Sequence, residues 1–201
     1  NPFTGKRRYF NENTQTELRV DNINPYLVVG ENTIVDKTYQ IPKGLPKATF
    51  GCMPYDNGNL ILSPEEVDDL AEAYPESKKF IKKLVGSQEF QKGVVRYCLW
   101  IDDDEVSEAL AIPPIVKRIK ATSDFRLKQG VEELAKRGHQ FREYFVRDCD
   151  VIIIPGVSSE RRDYIPMGMI GKDTVVSNSA FAIYCEGEPD YTLLGILMSK
   201  L

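Results

Sequence analysis

Residues 151–168, VIIIPGVSSERRDYIPMG, decide how this chain is read. Val151, Ile152, Ile153 and Ile154 make an unbroken β-branched run, the pattern of a buried strand. Pro155 and Gly156 end that run, Ser158-Ser159-Glu160-Arg161-Arg162 follow, and a second extended segment is expected through Tyr164 and Ile165. Two hydroxyls, a carboxylate and two guanidiniums within five residues exceed what a plain connection requires. The turn reads either as a working surface or as a solvated hairpin tip.

Upstream of this strand the chain reads as helical. Pro113-Pro114 opens the longest helix, in which Ile115, Ile119, Thr122, Phe125 and Arg126 recur at three- to four-residue spacing. Lys117, Arg118, Lys120 and Lys128 surround that stripe, so the helix is basic and amphipathic. It presents cations to a phosphate backbone, or it is an ordinary surface helix. A further helical stretch is expected over residues 131–137. Ser63-Pro64 with Glu66 three positions on is a capping box that starts a helix running to about Ala73. Pro75 starts another, with Phe80, Ile81 and Leu84 on one face, Lys78, Lys79, Lys82 and Lys83 on the other, and Gly86 as its C-terminal cap. Strands are expected at residues 94–101, anchored by Trp100, and after the charged turn at 174–176, 180–184 and 193–198. Strands toward the end and helices in the middle, without βαβ alternation, make the fold α+β. The expectation is a single compact domain with a mixed, mainly antiparallel sheet.

With 201 residues, 42% of them hydrophobic, the chain supports a real core. No window has the ~18 apolar residues that a membrane span needs. The four cysteines stand apart without a CxxC pair, which fits reduced thiols in a cytoplasmic protein and not a zinc ribbon. A Cys149/His139 nucleophile pair is open, as is a helix-end role for the lone histidine. The acidic run 102–105 reads as a helix start and not as a metal site. Net charge is −4, yet residues 111–172 hold 12 Lys and Arg against 8 Asp and Glu, leaving 14 against 22 elsewhere. A basic middle on an acidic body fits polyanion binding of restrained affinity.

Residues 1–19 are polar and turn-rich, like a connector, and residues 26–30 and 33–35 read as short extended runs. Asn24-Pro25-Tyr26 superficially resembles the Asn-Pro-Pro-Tyr motif of adenine-N6 methyltransferases. It lacks one proline, and no glycine-rich cofactor loop lies upstream of it.

Several segments together resemble one family. INPYLVVG (23–30), GLPKATFGCMPYDNGNLILSPEE (44–66), RYCLWI (96–101), DFRL (124–127), IIIPGVSSERRDYIPMGMI (152–170), VVSNSAFAIY (175–184) and LLGILMS (193–199) are similar to the target recognition domain of MmeI-like restriction-modification enzymes. The resemblance implies a reader of double-stranded DNA attached to an adenine-N6 DNA methyltransferase that uses S-adenosylmethionine, often with a fused nuclease. It further implies no catalytic residue, cofactor or metal in this chain. Residues 1–21 correspond to a linker or the tail of the methyltransferase domain and 22–201 to the recognition domain. The candidate DNA-binding residues are Ser158, Ser159, Glu160, Arg161 and Arg162, followed by Arg126, Lys128 and Lys120. Arginine forks match guanine's two major-groove acceptors, Glu160 can accept from a cytosine amine, and the serines suit phosphate or either base. Two other classes stay open: an assembly module whose basic face meets acidic protein, and an enzyme acting through Cys149 or Ser158.

Overall fold

The computed structural model describes residues 5–12, 14–32, 34, 43–144, 147–159, 161–162, 164–187 and 190–199. The chain divides into two compact units, residues 1–45 and 46–201.

In the first unit, β1 (Arg7–Asn11) and β2 (Thr16–Val20) pair antiparallel, with Arg7 opposite Val20 and Asn11 opposite Thr16. A segment read as a connector is therefore a hairpin. Arg8 clamps Glu17 with two 2.6 Å bonds across it. Beyond it Ile23 bridges Val29, and the Asn24 side chain accepts from the backbone N–H of Tyr26 at 3.0 Å and of Val28 at 3.1 Å. Asn24 thus folds its own turn. Residues 33 and 35, part of the expected run 33–35, lie outside the described residues.

The second unit is α+β, as expected, and its strands form two four-stranded sheets. One has the order β3 (Ala48–Phe50), β10 (Ala180–Tyr184), β7 (Val151–Pro155), β8 (Gly168–Ile170), antiparallel throughout. The other runs β4 (Ile61–Leu62), β6 (Tyr97–Leu99), β5 (Ile81–Val85), β9 (Thr174–Val176), with β5 and β9 parallel. The two sheets meet where Cys52 bridges Ser177. Cys52 N–H donates to Val176 O at 2.7 Å, and a Cβ on Gly51 would stand 2.3 Å from Ser177 O. Only a glycine permits that approach.

Helix α1 (Pro64–Ala73) begins with the expected capping box: Ser63 Oγ accepts from Glu66 N–H at 3.2 Å and Glu66 returns to Ser63 N–H at 2.9 Å. The helix expected from Pro75 is instead a short 3-10 turn, Pro75–Phe80, that runs directly into β5. Pairing on both edges of β5 outweighs the helical spacing of Phe80, Ile81 and Leu84. Gly86 consequently starts α2 (Ser87–Lys92), with Glu89 Oε2 bonded to its N–H at 2.8 Å. After α3 (Val106–Ala109) come α4 (Pro113–Lys128) and α5 (Glu132–Ala135), which pack on each other. Residues 193–198, expected as a strand, belong to α6 (Tyr191–Met198), which Asp190 caps by accepting from Leu193 N–H at 2.8 Å.

The main core gathers Phe80, Leu84, Leu99, Trp100, Ile115 and Phe141. Smaller clusters line the two faces of the β7/β10 pair, around Ile153 and Ala182 on one and Ile152 and Ile183 on the other.

Candidate nucleic-acid interface

Strand β7 is buried as its β-branched run predicts, and it delivers the chain into the charged turn. The exit is fixed. Gly156 N–H donates to Ser179 O and to Ser87 Oγ, both at 3.0 Å, while Ser87 N–H donates to Ser179 Oγ at 3.0 Å and Ser87 Oγ donates to Ser179 O. Gln91 Nε2 then holds Val157 O at 2.7 Å. Two side chains of α2 and the start of β10 thus set where the turn leaves the sheet. The return strand is β8, which pairs Gly168 with Ile153. The second extended segment lies later than Tyr164 and Ile165, both of which are exposed.

Ser158, Ser159, Arg161 and Arg162 all face solvent. The turn closes through Arg162 N–H to Ser159 O at 3.1 Å and Arg161 N–H to Ser159 Oγ at 3.3 Å. Among the described residues neither guanidinium has an ion-pair partner, so ten N–H donors are available to a ligand. Glu160 lies outside the described residues.

The basic helix divides its cations by direction. Lys120 and Lys128 are exposed, and among the described residues neither has an ion-pair partner. Arg118 turns inward to Asn59 O at 2.9 Å and Ile61 O at 3.1 Å and pairs with Glu66. Arg126 is fully buried, which corrects its reading as a DNA contact. Its Nε donates to Tyr55 O at 2.9 Å, its Nη1 to Leu134 O at 3.1 Å and Arg137 O at 2.8 Å, and its Nη2 to Pro54 O at 2.9 Å and Gln140 O at 2.7 Å. Every donor is spent inside the protein. Burial lowers the Arg126 pKa from its ordinary value, with nearby Asp56 opposing that shift. Arg126 therefore ties residues 54–55 to residues 134–140. The sequence held this signal: Arg126 stands on the same stripe as Ile115, Ile119 and Thr122. Ser87 and Gln91 gave none, because their partners lie 92 and 66 residues away.

The acidic run 102–105 is used in place. Asp102 accepts from Tyr144 OH, raising the pKa of that half-buried phenol beyond what burial alone does. Asp103 Oδ1 holds His139 Nε2 at 2.9 Å and Gln140 Nε2 at 3.0 Å. His139 thus faces Asp103, the residue its hydrogen bond serves. All four cysteines are free thiols, and burial pushes Cys98 far above the ordinary thiol range.

A family model described as MmeI, target recognition domain, matches residues 29–201. DNA methyltransferase A of Bacillus subtilis (strain 168) is 40% identical over 190 residues, 93% of this chain and 21% of that protein. The solved structure of the type IIL restriction-modification enzyme MmeI in complex with DNA matches with a TM-score of 0.74 at 34% identity. That match covers 92% of this chain and 25% of that one.

Proposed function

The chain belongs to the MmeI target recognition domain family, and from that premise we propose that it reads DNA sequence for a modification enzyme whose catalytic machinery lies outside these residues. The observation that carries this reading is the turn after β7. Two arginines with no internal ion pair among the described residues and two serines stand exposed on an exit fixed by Gly156, Ser87 and Gln91. A reader needs such a rigid mount, because a guanidinium must meet guanine N7 and O6 in a fixed plane to distinguish it from other bases. In this reading Arg161 and Arg162 address base edges or phosphates, Glu160 accepts from a cytosine amine, and Ser158 and Ser159 position the backbone. Lys120 and Lys128 supply sequence-independent attraction.

The parent activity that fits is transfer of a methyl group from S-adenosylmethionine to adenine N6, in the cytoplasm, with or without a fused endonuclease. Residues 22–201 act as the recognition domain and 1–21 lead from the methyltransferase domain, the partner within the same polypeptide. The reading is tested by retention of a random duplex library on the purified chain across a salt series, followed by sequencing. Enrichment of one short motif, with retention falling steeply as salt rises, is the expected result; absence of retention at every salt concentration overturns it. In the parent enzyme, reversing the charges of Glu160 and Arg162 together changes the sequence that is methylated if those two residues read bases.

A further inference from the structure

Beside the charged turn, where β7 leaves its sheet and β10 enters it, lies a half-open groove of about 730 Å3. Its volume falls within the ~300–1,000 Å3 of sites that enclose small organic ligands. One wall is aromatic: the rings of Phe50 and Phe181 lie 4.5 Å apart and 34° from parallel, and Phe50 is 65% exposed. Gln88 and Lys92 of α2 also line it. Asn178, just before β10, is a further lining residue.

Three properties mark this groove as built. Its floor is fixed by the Ser87, Ser179 and Gly156 bonds described above, and a side chain at position 156 is excluded because its Cβ would stand 2.8 Å from Ser179 O. Its amides are uncommitted: among the described residues the Gln88 and Asn178 carboxamides have no hydrogen-bond partner, whereas the neighbouring Gln91 is spent on Val157 O. Its described lining is basic, since among the described residues Lys92 is the single ionisable one that lines it. A flat aromatic face, a donor–acceptor amide pair and one cation beside it match a nucleobase followed by its phosphate. Aromatic rings stack on any base, and a carboxamide pairs with the edge of adenine in particular.

We propose that this groove holds one nucleobase of the bound DNA, displaced from the base stack and resting on Phe50. The site rests on the DNA-reading assignment and extends it, because the groove shares Ser158 and Ser159 with the charged turn. DNA lying across the turn passes the mouth of the groove. Lys92 meets the phosphate beside the displaced base, and Gln88 and Asn178 bias which base enters.

The test uses the chain and a duplex carrying the motif enriched from the random library, or an arbitrary duplex if none is enriched. Single adenines in the duplex are replaced in turn by 2-aminopurine, which brightens when unstacked. Binding of the wild-type chain brightens the probe at one position. Phe50→Ala lowers affinity roughly five- to hundredfold, the range expected for one lost base–aromatic stack, while the chain still unfolds in one cooperative transition and Phe50→Trp retains binding. Gln88→Ala with Asn178→Ala relaxes the base preference at the bright position. Wild-type affinity in Phe50→Ala, or no bright position in any duplex that the wild type binds, overturns the groove and leaves the DNA-reading assignment standing. Failure of the wild-type chain to retain any duplex at low salt overturns that assignment, and the groove with it.

Discussion

Replacing Arg126 with methionine separates an internal clamp from a DNA contact. The substitution keeps most of the side-chain volume and removes five donated hydrogen bonds. Three of the acceptors keep a backbone donor: Leu134 O has Arg137 N–H at 3.3 Å, Arg137 O has Gln140 N–H at 3.2 Å, and Pro54 O has Arg142 N–H at 3.3 Å. Among the described residues Tyr55 O and Gln140 O have no other donor. A stranded buried acceptor costs about 1–3 kcal/mol, so two cost about 4 kcal/mol. Relief of the desolvated guanidinium offsets part of that, since no carboxylate is hydrogen-bonded to it. The expected net loss is about 3 kcal/mol. With a urea dependence of about 2 kcal/mol/M, the midpoint falls by about 1.5 M. Trp100 is the chain's one tryptophan, is 4% exposed and stacks on Tyr144 at 4.0 Å, so its fluorescence follows the transition. Arg126→Lys offers three donors to five carbonyls and falls between the two proteins. A midpoint shift below about 0.3 M in Arg126→Met, together with a salt slope of DNA binding reduced by about 1, would refute the clamp and return Arg126 to the DNA surface.

Ser63→Ala removes a helix cap and lowers stability by about 1 kcal/mol in the same urea assay. The Glu66 carboxyl is held below its ordinary value, first by the Ser63 N–H and then by Arg118. Its contribution is present above about pH 4.5 and is lost as pH falls through the lowered folded value; Glu66→Gln therefore declines less steeply on acidification. Gly51→Ala forces a Cβ against Ser177 O where the two sheets meet, costs about 2 kcal/mol and lowers the thermal midpoint by roughly 5 °C. Lys120→Ala and Lys128→Ala each flatten the salt dependence of duplex binding by about 0.9 if they meet phosphate, with the urea midpoint unchanged. Cys98 resists alkylation in the native chain at pH 8 and is labelled once urea unfolds it, because burial holds its thiol protonated.

Local chemistry was legible where one segment carried the whole signal. Ser63-Pro64 with Glu66, Pro113-Pro114 and the run Val151–Ile154 each specify an element within a few residues, and the structure contains all three. Residues 75–86 were misread because Phe80, Ile81 and Leu84 satisfy a helical spacing, while the partners that make Ile81–Val85 a strand lie in β6 and β9. Residues 193–198 form a short apolar run whose period does not distinguish strand from helix, and Asp190 was the overlooked starting signal. At the candidate site, the turn 158–162 announced itself by composition. The groove beside it did not, because Phe50, Gln88 and Asn178 come from three distant segments that only the folded chain brings together.

The Arg126 clamp also bears on how such a chain can diversify. Its five acceptors are all main-chain carbonyls, so the guanidinium is blind to side-chain identity at Pro54, Tyr55, Leu134, Arg137 and Gln140. Substitutions there leave the clamp intact provided the backbone keeps its course. The two segments it joins can accumulate mutations without each change needing a compensating one at position 126. A mooring of this kind separates inheritance of the scaffold from drift of its surface, and it lets one architecture persist while its outward residues are rewritten.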